Sequence, residues 1–170
     1  MKKYSVIIIC LCLWTCNSTD KEVKEVVVVE EISPFVFKDD ISKIEYTDYI
    51  LDSKAKTDIE SWNMFVELQN ALTLLKSGDV SYFQGYSKTM ETAMKELIEG
   101  IPPVINTPAI QARFLTLETK MLKLQNVLSL QNIPKAEQLQ NVKETLVAYS
   151  NLNLQINKKY EKDAQHIIKP

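Results

Sequence analysis

The chain has 170 residues, 45% hydrophobic and 25% charged, with 3 Gly, 6 Pro and a net charge of −2. Such a composition fits one folded domain and disfavours a turn-rich β fold. Its mild acidity offers no electrostatic footprint for nucleic acid.

The start of the chain is the most specific stretch. Lys2 and Lys3 are basic, residues 4–14 are an apolar run, and Leu13-Trp14-Thr15-Cys16 closes it. Basic, apolar and then a cleavage site is the order of a secretory signal. A cysteine just after the cut resembles the lipobox of bacterial lipoproteins, with Leu13 suited to its place, Thr15 acceptable and Trp14 a departure. The resemblance implies removal of residues 1–15 and lipidation of Cys16. A spanning helix needs about 20 apolar residues, and this run is shorter. An ordinary cleaved signal with a free cysteine is the other alternative. Cys10 and Cys12 would leave with the signal, so no disulfide and no Cys-based metal site remains within the mature chain. Loss of Lys2 and Lys3 takes the net charge from −2 to −4. Asn17 stands where an aspartate retains some lipoproteins in the inner membrane, which favours the outer membrane and leaves periplasmic or surface exposure open.

Residues 16–56 read as the lipidated cysteine, a polar tether and an arm. Val26-Val27-Val28-Val29 is β-branched and extended if ordered. Phe35, Phe37, Ile41, Ile44, Tyr46, Tyr49 and Ile50 follow with no clean period beyond the Phe35/Phe37 alternation. The segment is expected to lie across the body and bury its aromatics, with a small strand pair as the alternative. Left exposed, Phe35 and Phe37 would be candidate partner contacts.

Residues 57–168 predict four amphipathic helices. Thr57-Asp58-Ile59-Glu60 reads as a capping box, followed by the stripe Phe65, Leu68, Leu72 and Leu75 and a stop at Gly78. Asp79 or Ser81 caps the second helix, with Phe83, Tyr86, Met90, Ala93 and Leu97 inward and Gly100, Pro102 and Pro103 ending it. Thr107 caps the third ahead of Pro108, and its stripe is Ile110, Phe114, Leu117, Met121, Leu124 and Leu128. Pro134 opens the fourth, with Leu139, Val142, Leu146, Tyr149, Asn153, Ile156 and Tyr160. Asn153 interrupts that stripe: it is either a buried register-setting amide, or the helix rotates and Leu152 takes its place. Four stripes joined by short links predict an all-α, up-down-up-down four-helix bundle with an extended N-terminal arm. The heptapeptide from Leu68 to Leu74 echoes the one from Leu124 to Leu130 at an offset of 56 residues, a hint of duplication.

Chemistry is sparsely signalled. His166 is the only histidine, so no triad with a second imidazole and no paired Glu-x-x-His di-iron set can be written. No glycine-rich phosphate loop occurs. Met64 and His166 would approach one end of a bundle, the placement used by b562-type haem bundles, although Met64 lies off the main stripe. No cofactor is expected on this basis. Arg113, the only arginine, is a candidate ion-pair or ligand contact beside the third stripe. Met90, Met94 and Met121 either line a ligand cavity or fill the core.

Asn106-Thr107-Pro108-Ala109-Ile110, Arg113 and Leu117-Glu118-Thr119 with Leu122 and Leu124 resemble a pattern in small helical lipoproteins of flavobacterial type. Asn153-Leu154-Gln155-Ile156-Asn157 is similar to their C-terminal helix. Some of those carry a viral A-type inclusion protein label. The resemblance implies a bacterial envelope lipoprotein and no activity. The resulting expectation is a non-enzymatic interaction or scaffold domain, held at the membrane by its N-terminal lipid and meeting an envelope protein partner. A helical binder of a small apolar ligand or haem in the periplasm is the alternative.

Overall fold

The computed structural model describes residues 36, 38–85, 87–130 and 132–165, all of which fall in one unit, Ser33–Pro170. Among them every regular element is helical. The order is α1 (Lys38–Ile41), α2 (Ser53–Ile59), α3 (Asn63–Lys76), a 3-10 turn (Ser81–Gln84), α4 (Ser87–Glu99), α5 (Pro108–Ser129) and α6 (Lys135–Ala164).

Helix ends follow local chemistry. At the end of α3 the Gly78 N–H donates to the Leu75 carbonyl and the Asp79 N–H to the Leu74 carbonyl, both at 3.0 Å. This doubly bonded Schellman cap requires a left-handed residue, and Gly78 has φ +90°. Gly100 and the prolines at 102 and 103 end α4, and Gly100 also leaves room for the Trp62 indole. Thr107 Oγ1 accepts from the Ile110 N–H at 3.3 Å, with Pro108 in the first helical position.

Two expected starts are displaced. Thr57 does not cap the first long helix: it lies inside α2, where its hydroxyl donates to the Ser53 carbonyl. The chain turns at residues 60–62 and α3 begins after Trp62. Ile59 and Trp62, on either side of the turn, are both buried in the core. The second helix likewise starts as a 3-10 turn, whose Ser81 N–H is held by Asp79 Oδ1 at 2.9 Å, and becomes α-helical only at Ser87.

The core joins all these pieces. α5 and α6 pack most extensively against each other, and α4 and the 3-10 turn pack on α5. Phe65, Phe114, Leu117, Met121, Leu124, Leu152 and Ile156 are fully buried. Trp62 stacks on Phe65 at 5.1 Å between centroids, and Phe114 meets both edge-on. Tyr149 from α6 reaches the same group at 6.4 Å from Phe65. The cluster also takes in Val36 and Ile41, with Ile44, Tyr46 and Leu51 packed on its margin. Ion pairs add ties at the surface. Lys120 on α5 meets Glu144 on α6 at 2.9 Å, and Lys135 at the start of α6 meets Asp40 of α1 at 2.7 Å. The Lys120–Glu144 contact and a further bond from Gln140 hold the Glu144 carboxyl below its usual range.

Candidate functional site

Two features stand out from the ordinary packing. The first is a line of polar side chains along α6. Ser150, Asn153 and Asn157 recur at three and four residues and so share one face of the helix. All three bond to the backbone of the non-helical segment 44–52. Ser150 Oγ accepts from the Tyr49 N–H at 2.8 Å and donates to the Thr47 carbonyl at 2.6 Å. Asn153 Nδ2 donates to the Tyr49 carbonyl at 2.9 Å. Asn157 does both jobs: its Nδ2 donates to the Ile50 carbonyl at 2.7 Å, and its Oδ1 accepts from the Asp52 N–H at 2.9 Å.

This arrangement settles the alternative left open at Asn153. Leu152 is fully buried and Asn153 is 3% exposed, so both sides of the helix are covered. Leu152 faces the helical core, and Asn153 meets a chain segment whose backbone groups lack partners of their own. The Asn153 NH₂ serves the Tyr49 carbonyl, while its Oδ1 is buried with no partner among the described residues. Lys76 at the end of α3 clamps the same segment through Asp48 at 2.6 Å. Burial works against the Lys76 ammonium, but its bond to Asp48 and the nearby Tyr46 outweigh that, and its pKa is raised.

The second feature is an open groove of about 710 Å³ between α3 and α4. Met64 and Ala93 give it an apolar floor, while Glu67, Lys88 and Glu96 charge its rim. Met64 is half-buried and packed against the core here. Arg113 lies elsewhere, exposed on α5 with no ion pair among the described residues. The structure therefore does not bring Arg113 and Met64 into one site. Cys16, Phe35, Phe37 and His166 lie outside the described residues. Met90, Met94 and Met121 are all core residues, and Met90 also borders a smaller recess beside the groove.

Among the described residues no group of three or more His, Cys, Asp or Glu side chains could hold a metal ion. No described helix is long and apolar enough to cross a membrane. Ser150 and Asn157 were not singled out from sequence. Their signal was present: polar residues at 150, 153 and 157 form one line on the helix, which also buries Gln138, Asn141 and Thr145 nearer its start. No family model, no curated protein and no solved structure matches the chain.

Proposed function

We propose that this chain is a lipid-anchored protein of a bacterial cell envelope, and that its helical body is a non-enzymatic interaction or scaffold module. In this reading Cys16 carries the lipid, the following residues form a tether, and the segment that reaches the body is an arm. α3, α4, α5 and α6 make an up-down-up-down four-helix bundle. The order of basic, apolar and cysteine residues supports the anchor, as does the resemblance to small helical lipoproteins of flavobacterial type.

The observation that carries the interaction reading is how the body is packed. Phe65, Phe114, Leu117 and Met121 fill the space between the helices, and the groove beside Met64 opens at the surface. An apolar floor with a charged rim is the anatomy of a surface that meets another protein. A second reading, a helical binder of a small molecule, is favoured by the recess beside Met90.

Two measurements test the proposal. Cys16→Ala should move the protein from the membrane to the soluble fraction, and continued membrane retention would refute the lipid anchor. A photo-crosslinking residue placed at exposed Thr92 in the groove should capture an envelope protein in living cells. If Thr92 yields no adduct while the protein is present at its normal level, the groove is not the interaction surface.

A further inference from the structure

Half-buried lysines in this body come with a counter-ion, with one exception. Lys76, Lys120, Lys135 and Lys159 are each half-buried, and each meets an aspartate or a glutamate at 2.9 Å or less. Lys143 on α6 is half-buried as well, and it has no ion pair among the described residues. Its acidic neighbour in the chain, Glu144, is already engaged: it meets Lys120 at 2.9 Å, Lys123 at 3.9 Å and the Gln140 amide at 3.0 Å. Partial burial loosens water's hold on an ammonium, and here no protein anion offsets that.

Lys143 and Lys120 line one open hollow of about 260 Å³ between α6 and α5. Val147 and Ala148 give the hollow an apolar wall. Of its uncharged polar groups, Thr116 donates its proton to the Ala112 carbonyl and so offers only lone pairs, while Asn151 offers a donor and an acceptor. The charges decide which sign of ligand fits. Arg113 and Lys123 stand one turn to either side of Thr116 and Lys120 on α5, and Glu137 stands one turn before Gln140 on α6. Four cations thus surround the hollow against two carboxylates, Glu137 and Glu144, in a chain whose net charge is −2. The lining residues all lie inside α5 or α6, so their backbone N–H groups are engaged in the helices. Lysines and one amide, with no free backbone donors, suit a singly charged carboxylate better than a phosphate dianion. The volume is below the roughly 300–1,000 Å³ of sites for drug-sized ligands, so the occupant is small.

We propose that this hollow binds a small organic anion, a carboxylate on a short apolar chain. The carboxylate meets the Lys143 ammonium, with Lys120 on the facing helix, and the carbon chain lies against Val147 and Ala148. The proposal rests on these residues alone and is independent of where in the cell the chain resides.

The test is a titration of the full chain, in a neutral detergent, with sodium n-butyrate, followed by the methyl resonances of Val147 and Ala148. Sodium chloride serves as the ionic-strength control, n-butylammonium as the cationic isostere and acetate as the anion without the chain. Butyrate should give a saturable shift, and chloride and butylammonium should give none. Acetate should bind at least about threefold more weakly, because it leaves the apolar wall uncovered. Lys143→Gln removes no ion pair and leaves packing intact, and it should weaken butyrate binding about threefold or more, whereas Lys143→Arg should retain it. The proposal is overturned if butyrate gives no saturable shift, or if chloride or butylammonium moves the same methyls. It is equally overturned if acetate binds as tightly as butyrate, or if Lys143→Gln binds butyrate unchanged.

Discussion

Gly78 and Gly85 are both glycines beside turns, yet they answer to different constraints. Gly78 has φ +90°, and a Cβ there would stand 2.5 Å from the backbone nitrogen of Lys38. Gly85 has φ −72° and open space around an added Cβ. Gly78→Ala should therefore lower stability by about 2 kcal/mol or more, through strain at a left-handed position and displacement of α1. Gly85→Ala should be neutral or slightly stabilising, by about 0.4–1 kcal/mol at most. Urea denaturation of the two variants side by side checks both, and equal losses would refute the argument. Tyr160 makes a second residue-level case. Its ring is buried, and its hydroxyl donates to Asp58 Oδ2 of α2 at 2.9 Å. Burial first, and then the Asp58 charge, push its pKa from 10.0 up to about 12. A phenol whose folded pKa is raised stabilises the fold fully below its ordinary value. That contribution is lost as the pH rises, between about 10 and about 12. Asp58→Asn should lower the Tyr160 titration, read by tyrosinate absorbance, and shrink the alkaline loss of stability.

At the scale of elements, α6 is covered by the helical core on one side and by the segment 44–52 on the other. Its apolar line (Leu146, Tyr149, Leu152, Ile156) packs into the core, while Ser150, Asn153 and Asn157 hold the segment 44–52 by its backbone. Recognition through backbone groups is tolerant of the segment's side chains, and Ile50 is accordingly 78% exposed. Asn153→Ala leaves the Tyr49 carbonyl without its donor at a part-buried site, and a loss of about 0.5–1.5 kcal/mol is expected. Asn157→Ala should raise hydrogen exchange at the Asp52 amide, whose acceptor it removes. Unchanged exchange at Asp52 would show that the segment is held by its packing alone. The echo at an offset of 56 residues also has structural content. Leu68 and Leu124 are buried, as are Ala71 and Val127, while Leu74 and Leu130 both face solvent. At the same offset Met90 of α4 and Leu146 of α6 are both buried, whereas Phe83 lies in a 3-10 turn and Leu139 lies inside α6.

For the whole molecule, the question is how far the core depends on what precedes α3. Val36 and Ile41 are buried in the same cluster as the long helices, and Ile44, Tyr46 and Leu51 pack against it. Deleting residues 33–52 would expose that surface and strip Ser150, Asn153 and Asn157 of their partners. The thermal midpoint should fall by several degrees or more, given that about 1 kcal/mol corresponds to about 2–8 °C for domains of this general size. An unchanged midpoint would mean that α3, α4, α5 and α6 carry the stability alone.

What could be read along the chain was whatever depends on neighbours in sequence. The all-helical class followed from apolar residues at three and four. The end of α3 followed from Gly78, and the start of α5 from Thr107 before Pro108, because caps and stops are settled within one turn of helix. The break at residues 60–62 was not legible, because the capping box at Thr57 satisfies every local rule for a helix start, yet Thr57 lies inside α2 and α3 begins only after Trp62. Asn153 was ambiguous because a one-dimensional stripe does not say what covers its far side. The bond from the Gln125 Nε2 of α5 to the Gly85 carbonyl exists only because the 3-10 turn and its exit pack beside that helix. Hydrogen bonds over about a hundred residues, such as those from α6 to the segment 44–52, and recesses built by several elements exist only once packing has chosen which faces meet.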